Sequence, residues 1–245
     1  MRGVALDICP DATLADITHD ISPQDILGGA LELAAAYKYF PQGTVFLCVV
    51  DPGVGSSRRG IAADAGGRRF VAPDNGLLTE VFRDATPSVV VELTERKYAR
   101  PTVSRTFEGR DRFAPAAAWL AKGIAITALG AEVTDWRSLD IPEPHEGGGQ
   151  LTGEVLRVDR FGNLVTNIDR ERLVRVAASR PIQIVVAGQP VTKFVATYAE
   201  AENGSLCALF GSSDHLEIAV AGGSAAGCLG LTRGAAVVVR FDAFP

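Results

Sequence analysis

The chain has 245 residues, of which 47% are hydrophobic and 22% are charged, and its net charge at neutral pH is -5. This composition is typical of a soluble globular protein that buries one large core or two smaller ones. A negatively charged chain without a cluster of lysine or arginine offers no surface for nucleic-acid phosphates. The composition therefore predicts a small-molecule partner.

From residue 1 to about residue 136, apolar strands alternate with helical segments. This alternation predicts an α/β domain with a mainly parallel sheet. Predicted strands cover residues 45–50, 69–72 and 89–93. Ser22 and Pro23 are typical of a helix start, and a later alanine-rich helix over 114–121 takes Pro115 into its first turn. The apolar face of the first helix is predicted to consist of Ile26, Ala30, Leu33 and Tyr37.

The second half of the chain has a different pattern. Residues 137–150 are rich in proline, glutamate and glycine, which predicts a linker. Short strands follow at 153–158, 163–168, 182–187, 206–210, 216–220 and 235–241, separated by Gly, Ser and Asp turns. Their even spacing predicts a small all-β, antiparallel, barrel-like domain over residues 151–245.

The strand over residues 45–50 ends in Asp51-Pro52-Gly53-Val54-Gly55, and Arg58 follows seven residues after Asp51. A buried strand that ends in a carboxylate and a flexible turn is typical of the ligand-binding edge of an α/β sheet. A carboxylate and a guanidinium at this spacing can pair across the turn and hold a water molecule. A structural salt bridge in a surface turn is the alternative interpretation.

Other kinds of site have little support. Gly53 and Gly55 resemble the start of a dinucleotide fingerprint, but the third glycine is absent and no long helix follows. The three histidines are isolated from cysteines and from one another, so neither a metal nor another cofactor is expected. The four cysteines, Cys9, Cys48, Cys207 and Cys228, have no C-x-x-C spacing and predict free thiols in a cytoplasmic protein. No apolar run approaches the roughly 18 residues of a membrane span.

Five motifs occur in one order along almost the whole chain. They are Asp16-Ile17-Thr18-His19-Asp20, the Asp51 run, Ala72-Pro73-Asp74-Asn75-Gly76, Thr106-Phe107-Glu108-Gly109-Arg110-Asp111, and Asp159-Arg160-Phe161-Gly162-Asn163. Together they resemble the adenosine-forming S-adenosyl-L-methionine (SAM) hydrolases, also called SAM hydroxide adenosyltransferases. The SAM-dependent fluorinating and chlorinating enzymes are relatives of that family. The resemblance implies hydrolysis of SAM to adenosine and L-methionine, with water or hydroxide attacking C5′.

The resemblance assigns the catalytic positions. The family's Asp-Arg-His set corresponds to Asp51, Arg58 and Glu108, so a glutamate replaces the family histidine. A second carboxylate beside Asp51 raises the proton affinity of the pair, and Arg58 partly offsets this effect. Glu108 is therefore expected to accept a proton, with an exposed turn residue as the alternative. A catalytically weak SAM- or adenosine-binding protein is the second functional hypothesis.

A halogenase is the third hypothesis. The halogenating relatives carry a non-acidic residue at the position of Asp51, and a carboxylate there repels a halide ion. Gly109 lies where the fluorinating enzyme uses a serine to hold fluoride. Both residues favour hydrolysis.

Substrate contacts also follow from the resemblance. Phe107 and Phe161 correspond to aromatic residues of the adenosine pocket, although either residue can equally belong to an ordinary core. Asn163 corresponds to a residue that bonds the adenine edge, and Asp159 lies near it. Ser212, Ser213 and Glu217 correspond to the loop and strand that receive the methionine end of the substrate in the family. In this family the pocket lies between the first domain of one subunit and the barrel of its neighbour, which implies a homotrimer.

The resemblance also concerns the start of the sequence. Family members carry an apolar strand and a ribose-binding carboxylate before the Met-Lys-Gly-Val that corresponds to Met1-Arg2-Gly3-Val4. The first strand is therefore expected to be missing here, and an upstream reading frame is expected to encode it.

Overall fold

The computed structural model describes residues 1–178 and 180–241. The chain forms two compact units, Met1–Asp140 and Ile141–Pro245. No helix in the described part of the chain is long and apolar enough to cross a membrane.

The first unit contains four α-helices and a four-stranded sheet among its described residues. The helices are α1 (Arg2–Ile8), α2 (Ile26–Tyr37), α3 (Thr79–Asp84) and α4 (Ala114–Ala121). A π-helical turn, Gly109–Phe113, leads directly into α4, and 3₁₀ turns cover Arg96–Tyr98 and Ile126–Leu129. The predicted bounds of α4 and its early Pro115 are confirmed.

Helix α2 begins later than the sequence pattern predicts. The capping residue is Asp25, whose side chain accepts a hydrogen bond from the Gly28 amide at 3.0 Å, and not Ser22. Asp25 is the better placed cap because it directly precedes the apolar run, whereas Gln24 before it has a positive φ of 68° that interrupts a helix. The predicted inner face of α2 is confirmed, since Ala30, Leu33 and Tyr37 are buried.

The sheet of the first unit has the order β1-β3-β2-β4, with β1 (Val45–Leu47), β2 (Gly60–Ala65), β3 (Arg68–Pro73) and β4 (Pro87–Glu92). Only the β1–β3 pair is parallel, whereas β2 pairs antiparallel with both β3 and β4. The prediction of a mainly parallel sheet is therefore wrong for the described strands. Gly66 and Gly67 are the reason, because their positive φ angles of 57° and 71° close a tight β2–β3 hairpin.

Two apolar cores cover the faces of this sheet. One contains Tyr37, Phe46 and Phe70, whose rings contact one another edge-on or stacked. The other contains Phe113 and Leu120 from the π turn and α4. The second core matters for the site because it fixes the segment that carries Glu108.

The described residues of the second unit form a nine-stranded, nearly closed, barrel-like sheet. Its strands are β5 (His145–Gly147), β6 (Gln150–Val158), β7 (Leu164–Asp169), β8 (Gln183–Val186), β9 (Gln189–Val191), β10 (Lys193–Phe194), β11 (Leu206–Phe210), β12 (His215–Val220) and β13 (Ala236–Arg240). Two helices, α5 (Arg170–Ala177) and α6 (Ala225–Leu229), and a 3₁₀ turn, Tyr198–Glu200, complete it. The pairing is antiparallel except between β10 and β11.

Part of the predicted linker over residues 137–150 is regular structure. Strands β5 and β6 form a hairpin that turns at Gly148 and Gly149, whose φ angles are 58° and 74°. Two glycines with positive φ make the two-residue turn that such a hairpin prefers. The glycine run is therefore a hairpin turn.

Candidate active site

Asp51, Arg58 and Glu108 come together in the first unit. One nitrogen of Arg58, Nη2, donates to Asp51 Oδ2 and to Glu108 Oε2, each at 2.6 Å. The side chains are buried, with exposed fractions of 4% for Arg58, 6% for Asp51 and 12% for Glu108. The alternative of an exposed Glu108 is therefore wrong, and the Asp51–Arg58 salt bridge is buried and does not lie on the surface.

The loop between β1 and β2 places Asp51 and Arg58. Asn75 fixes its start by donating from Nδ2 to the carbonyl of Val50 at 2.9 Å. Gly55 lies in the middle with a φ of 78°, packed so closely on the carbonyl of Arg105 that a Cβ would collide with it. Only glycine meets both conditions, so the second glycine of the motif shapes the turn that returns Arg58 to Asp51.

The guanidinium of Arg58 is held from several sides. Its Nη1 donates to the carbonyl of Arg59 at 3.0 Å, and its carbon lies 5.2 Å from the centre of the Phe113 ring. Arg58 Nε is buried without a hydrogen-bond acceptor in the described part of the chain. A planar cation held in this way presents one nitrogen to both carboxylates in a fixed geometry.

Asp51 is the carboxylate best suited to bind water. Burial raises its pKa above the usual value, the charge and hydrogen bond of Arg58 act in the opposite direction, and the negative charge of Glu108 raises it further. Asp51 Oδ1 is buried and has no hydrogen bond of ordinary geometry from the described residues, although the nearby Gly53 amide lowers the pKa of the carboxylate. A buried acceptor of this kind needs a donor, and the O–H of a water molecule supplies one.

Glu108 precedes the π-helical turn and is bound on both oxygens. Oε2 accepts from Arg58, and Oε1 accepts from Arg112 Nη1 at 3.1 Å. Arg112 is itself held by a 2.8 Å bond from Nη2 to the carbonyl of Leu93. The sequence interpretation missed Arg112, although its spacing of four residues after Glu108 is a recognisable signal on a helical segment.

Two cavities of the first unit adjoin the buried ion pairs. One, of about 540 Å³, is lined by Asp51 together with Val49, Val50, Leu77 and residues 17–19. The other, of about 900 Å³, is lined by Glu108 and Arg112. Asp51 thus faces a cavity of substrate size, while Glu108 faces a second space.

Two further predicted residues flank Glu108. The Phe107 side chain is 46% exposed and lies under the Arg110 guanidinium at 4.8 Å, so it is not a core residue. Gly109 is buried against Val49, and a Cβ there would lie only 3.2 Å from Val49 Cγ1. A side chain at position 109 would require the Val49 and Met1 side chains, each 3.2 Å away, to move slightly.

The predicted residues of the second unit form a separate polar cluster. Asp159 Oδ1 accepts from the amides of Phe161 and Asn163, both at 2.8 Å, and its Oδ2 accepts from Asn163 Nδ2 at 2.9 Å. Asp159 thereby organises the turn that presents the Phe161 ring, which is 78% exposed and not part of a core. Phe161 and Asn163 line a cavity of about 550 Å³ with Tyr198.

Tyr198 connects this turn to Glu217. Its hydroxyl donates to Glu217 Oε2 at 2.7 Å and lies 3.5 Å from Asn163 Nδ2. Burial and the neighbouring Glu217 carboxylate raise the pKa of Tyr198. The Glu217 side chain is buried on β12 and packs on Gly211, where any Cβ would collide with it. Tyr198 was missed because a single tyrosine in an irregular segment has no sequence pattern that marks it.

The two predicted serines lie in the turn between β11 and β12. Ser212 is exposed, whereas the Ser213 hydroxyl is buried without a hydrogen-bond partner among the described residues. Ser213 is thus the member of the pair with a free buried polar group. The described residues contain no group of three or more metal-ligating side chains.

Comparison with known proteins agrees with the motifs. Residues 1–130 match the family described as SAM hydroxide adenosyltransferase N-terminal domain, and residues 153–238 match the corresponding C-terminal domain. The chain belongs to the SAM hydroxide adenosyltransferase family. The resemblance inferred from the ordered motifs is confirmed.

Individual relatives place the chain nearer the hydrolases than the halogenases. It is 39% identical to the (R)-S-adenosyl-L-methionine hydrolase of Salinispora tropica, over 95% of this chain and 88% of that protein. It is 29% identical to a fluorinase of an Actinoplanes species, over 82% of this chain and 78% of that protein. A crystal structure of an uncharacterized conserved protein from Thermotoga maritima superposes with a TM-score of 0.91 at 32% identity, covering 98% and 93% of the two chains.

Proposed function

We propose that this protein hydrolyses S-adenosyl-L-methionine to adenosine and L-methionine. One observation carries the proposal: a buried carboxylate, Asp51, with one oxygen paired to Arg58 and the other free to accept a hydrogen bond, lines a cavity of about 540 Å³. A cavity of that size accepts a small molecule. Family membership supplies the substrate class, since relatives of 37% and 39% identity are named (R)-S-adenosyl-L-methionine hydrolase.

The chemistry suits this arrangement. A water O–H donates to Asp51 Oδ1, which orients the water oxygen for in-line attack on C5′. The new bond is C5′–O, the bond that breaks is C5′–S, and the electron pair leaves with the methionine sulfur. The sulfonium is already a good leaving group, so the protein's task is to position and partly deprotonate water.

The reaction releases one proton for each turnover, and a carboxylate of the ion-pair cluster must accept it, because Arg58 stays protonated and cannot pass a proton on. Asp51 and Glu108 share Arg58 Nη2, but Asp51 lines the first cavity and Glu108 lines the second. We place Glu108 as the group that receives the proton and passes it to the second cavity. This assignment gives Glu108 the function of the histidine that it replaces.

We assign substrate binding in the second unit to Phe161, Asn163, Glu217 and the Ser212–Ser213 turn, and in the first unit to Phe107. The exposed Phe161 ring offers a flat apolar face for a base, and the Glu217 carboxylate suits an ammonium group. We also propose a cytoplasmic homotrimer. Light scattering is expected to give about three times the 25.8 kDa chain mass, and a monomeric mass contradicts this assembly.

The deciding experiment separates hydrolysis from the two other hypotheses. The protein is incubated with SAM alone, with chloride and with fluoride, and the products are resolved by chromatography. Adenosine and methionine in equal amounts, unaffected by halide, are expected. Binding without turnover supports a SAM-binding protein instead. A halogenated nucleoside supports a halogenase, which the Asp51 carboxylate and the lack of a serine hydroxyl at Gly109 disfavour.

A further inference from the structure

Arg112 completes the charge balance of the buried carboxylates. Asp51 and Glu108 share a single cation, Arg58, so these three groups alone carry a net charge of one negative. Arg112 adds the missing positive charge through its 3.1 Å contact with Glu108. It approaches Oε1, the Glu108 oxygen that Arg58 does not contact.

We propose that Arg112 is a positioning residue for Glu108, and that Glu108 and Arg112 together replace the single histidine of the family. The inference rests on the proposed function. An aspartate, an arginine and a neutral histidine sum to zero charge. Asp51, Arg58, Glu108 and Arg112 also sum to zero, so an acidic residue at position 108 is accommodated without an unbalanced charge in a buried site.

The anchoring of Arg112 supports a positioning role. Its Nη2 donates at 2.8 Å to the carbonyl of Leu93, just after β4, so the guanidinium is held to the sheet while Nη1 contacts Glu108. The terminal torsion of a glutamate is otherwise broad. Fixing Oε1 on Arg112 therefore keeps Oε2 turned toward Arg58.

Arg112 differs from the other cations that line the cavity beside Glu108 because it contacts the Glu108 carboxylate directly. The loop before β2 contributes Asp51 and Arg58, and the helical turn of Glu108 contributes Arg112. The remaining charged groups that line the cavity beside Glu108 are Glu92, Glu95, Arg96, Lys97, Arg100 and Arg105. Of the cations that line this cavity, Arg112 is the one that contacts the Glu108 carboxylate in the described part of the chain. Without Arg112, Arg58 is left to balance the charge of both carboxylates by itself.

The test is a double-mutant cycle with turnover as the readout. Wild type, Arg112→Gln, Glu108→His and the double variant are compared for kcat, KM and the pH dependence of kcat. Arg112→Gln is expected to lower kcat by at least about tenfold, because Glu108 loses its fixed orientation, and to move the acid limb of the pH profile upward. KM is expected to stay within about threefold, because Arg112 does not line the cavity of Asp51.

The deciding prediction is that Arg112→Gln lowers kcat when residue 108 is glutamate but raises it when residue 108 is histidine. Glu108→His alone leaves Arg112 without its carboxylate and is expected to be slow, whereas Glu108→His with Arg112→Gln is expected to be faster than Glu108→His alone. Arg112→Lys keeps the charge and is expected to recover part of the rate. Arg83→Gln is the matched control, since Arg83 contacts Glu80 at 3.0 Å within α3 and lines neither cavity, and its loss is expected to leave kcat unchanged.

Equal factors for Arg112→Gln in the glutamate and histidine backgrounds overturn the proposal, because Arg112 then acts independently of Glu108. An unchanged kcat and pH profile in Arg112→Gln overturns it as well. A wild-type protein that releases no adenosine overturns the proposed function itself. The wild-type assay therefore distinguishes the two failures.

Discussion

The Asp51–Arg58–Glu108 cluster of the first unit and the Asp159–Asn163–Tyr198–Glu217 cluster of the second both contain two carboxylates, but they use them differently. In the first, both carboxylates bind one arginine nitrogen at 2.6 Å. In the second, Asp159 accepts from amide groups and Glu217 accepts from a phenol. Charged partners suit proton transfer, and neutral donors suit the shaping of a binding surface.

The free polar atoms of the two clusters also differ. Among the described residues the first cluster leaves two buried side-chain atoms without a partner, the Arg58 Nε donor and an acceptor on Asp51, which can take a hydrogen bond from water. The free group near the second cluster is the Ser213 hydroxyl, which can donate to a ligand. Similar residue types are therefore suited to chemistry in one unit and to recognition in the other, and substitutions in each unit test that division.

The largest effect is expected from Asp51→Asn. The substitution keeps the volume and the contact to Arg58 but removes the charged acceptor, so kcat is expected to fall by about 10²- to 10⁴-fold. KM is expected to change less than about tenfold. The measurement is the rate of adenosine release at saturating SAM.

Asp159→Asn is the matched control in the other cluster. It is expected to weaken SAM binding while kcat stays within about threefold of wild type, because Asp159 organises a turn and accepts no proton in the reaction. An equal loss of kcat in both variants would contradict the assignment of chemistry to the first cluster and of binding to the second.

Arg58→Lys is expected to have the next largest effect. An ammonium cannot hold both carboxylates and the Arg59 carbonyl in one plane, and losing one charged hydrogen bond costs about 1.5 to 3 kcal/mol. This corresponds to a roughly ten- to hundredfold loss of kcat. Arg59→Lys, next in the chain and paired with Asp74, is the control and should keep its rate. Full activity of Arg58→Lys contradicts a requirement for the planar cation.

A smaller effect is expected from Tyr198→Phe in the second cluster. The loss of the hydroxyl removes the donor to Glu217 and the neighbour of Asn163, so KM is expected to rise roughly tenfold with kcat unchanged. Tyr39→Phe controls for the substitution, because Tyr39 is 82% exposed. A fall in kcat with constant KM would instead assign Tyr198 to the chemistry.

Sequence alone predicted the pairing of Asp51 with Arg58 because both lie in one short loop after an apolar strand. It also predicted most strands of the second unit, where alternation and turn residues are clear. Strand β2 was not predicted, because Gly60–Ala65 is built mostly from small residues with little strand preference, and its antiparallel pairings were missed with it. Arg112 was missed although its i,i+4 spacing from Glu108 is a local signal, because nothing else in the sequence marks that segment as helical. Tyr198 was missed because its contact with Glu217, 19 residues away, has no local pattern.

The smallest expected effect concerns stability and follows from pKa shifts of opposite sign in the first unit. Arg110 and the Ser104 amide lower the pKa of buried Asp111 to about 2, whereas burial raises the pKa of Asp51. The Asp111 contribution to stability is present above its unfolded pKa near 3.8 and is lost as the pH falls toward about 2. The Asp51 contribution is present below 3.8 and is lost as the pH rises through its raised folded value.

Asp51→Asn is therefore expected to be more stable than wild type at pH 7 and to lose this advantage below pH 4, because ionised Asp51 is unfavourable in the folded protein. Asp111→Asn is the opposite case, with a loss of stability at pH 7 that shrinks toward pH 2. Urea unfolding followed by the fluorescence of Trp119 and Trp136, both in the first unit, measures these differences. If Asp51→Asn is less stable than wild type at pH 7, the stabilisation from the ion pair with Arg58 exceeds the cost of burying the charged carboxylate. Asp51 then contributes to the stability of the fold as well as to the chemistry.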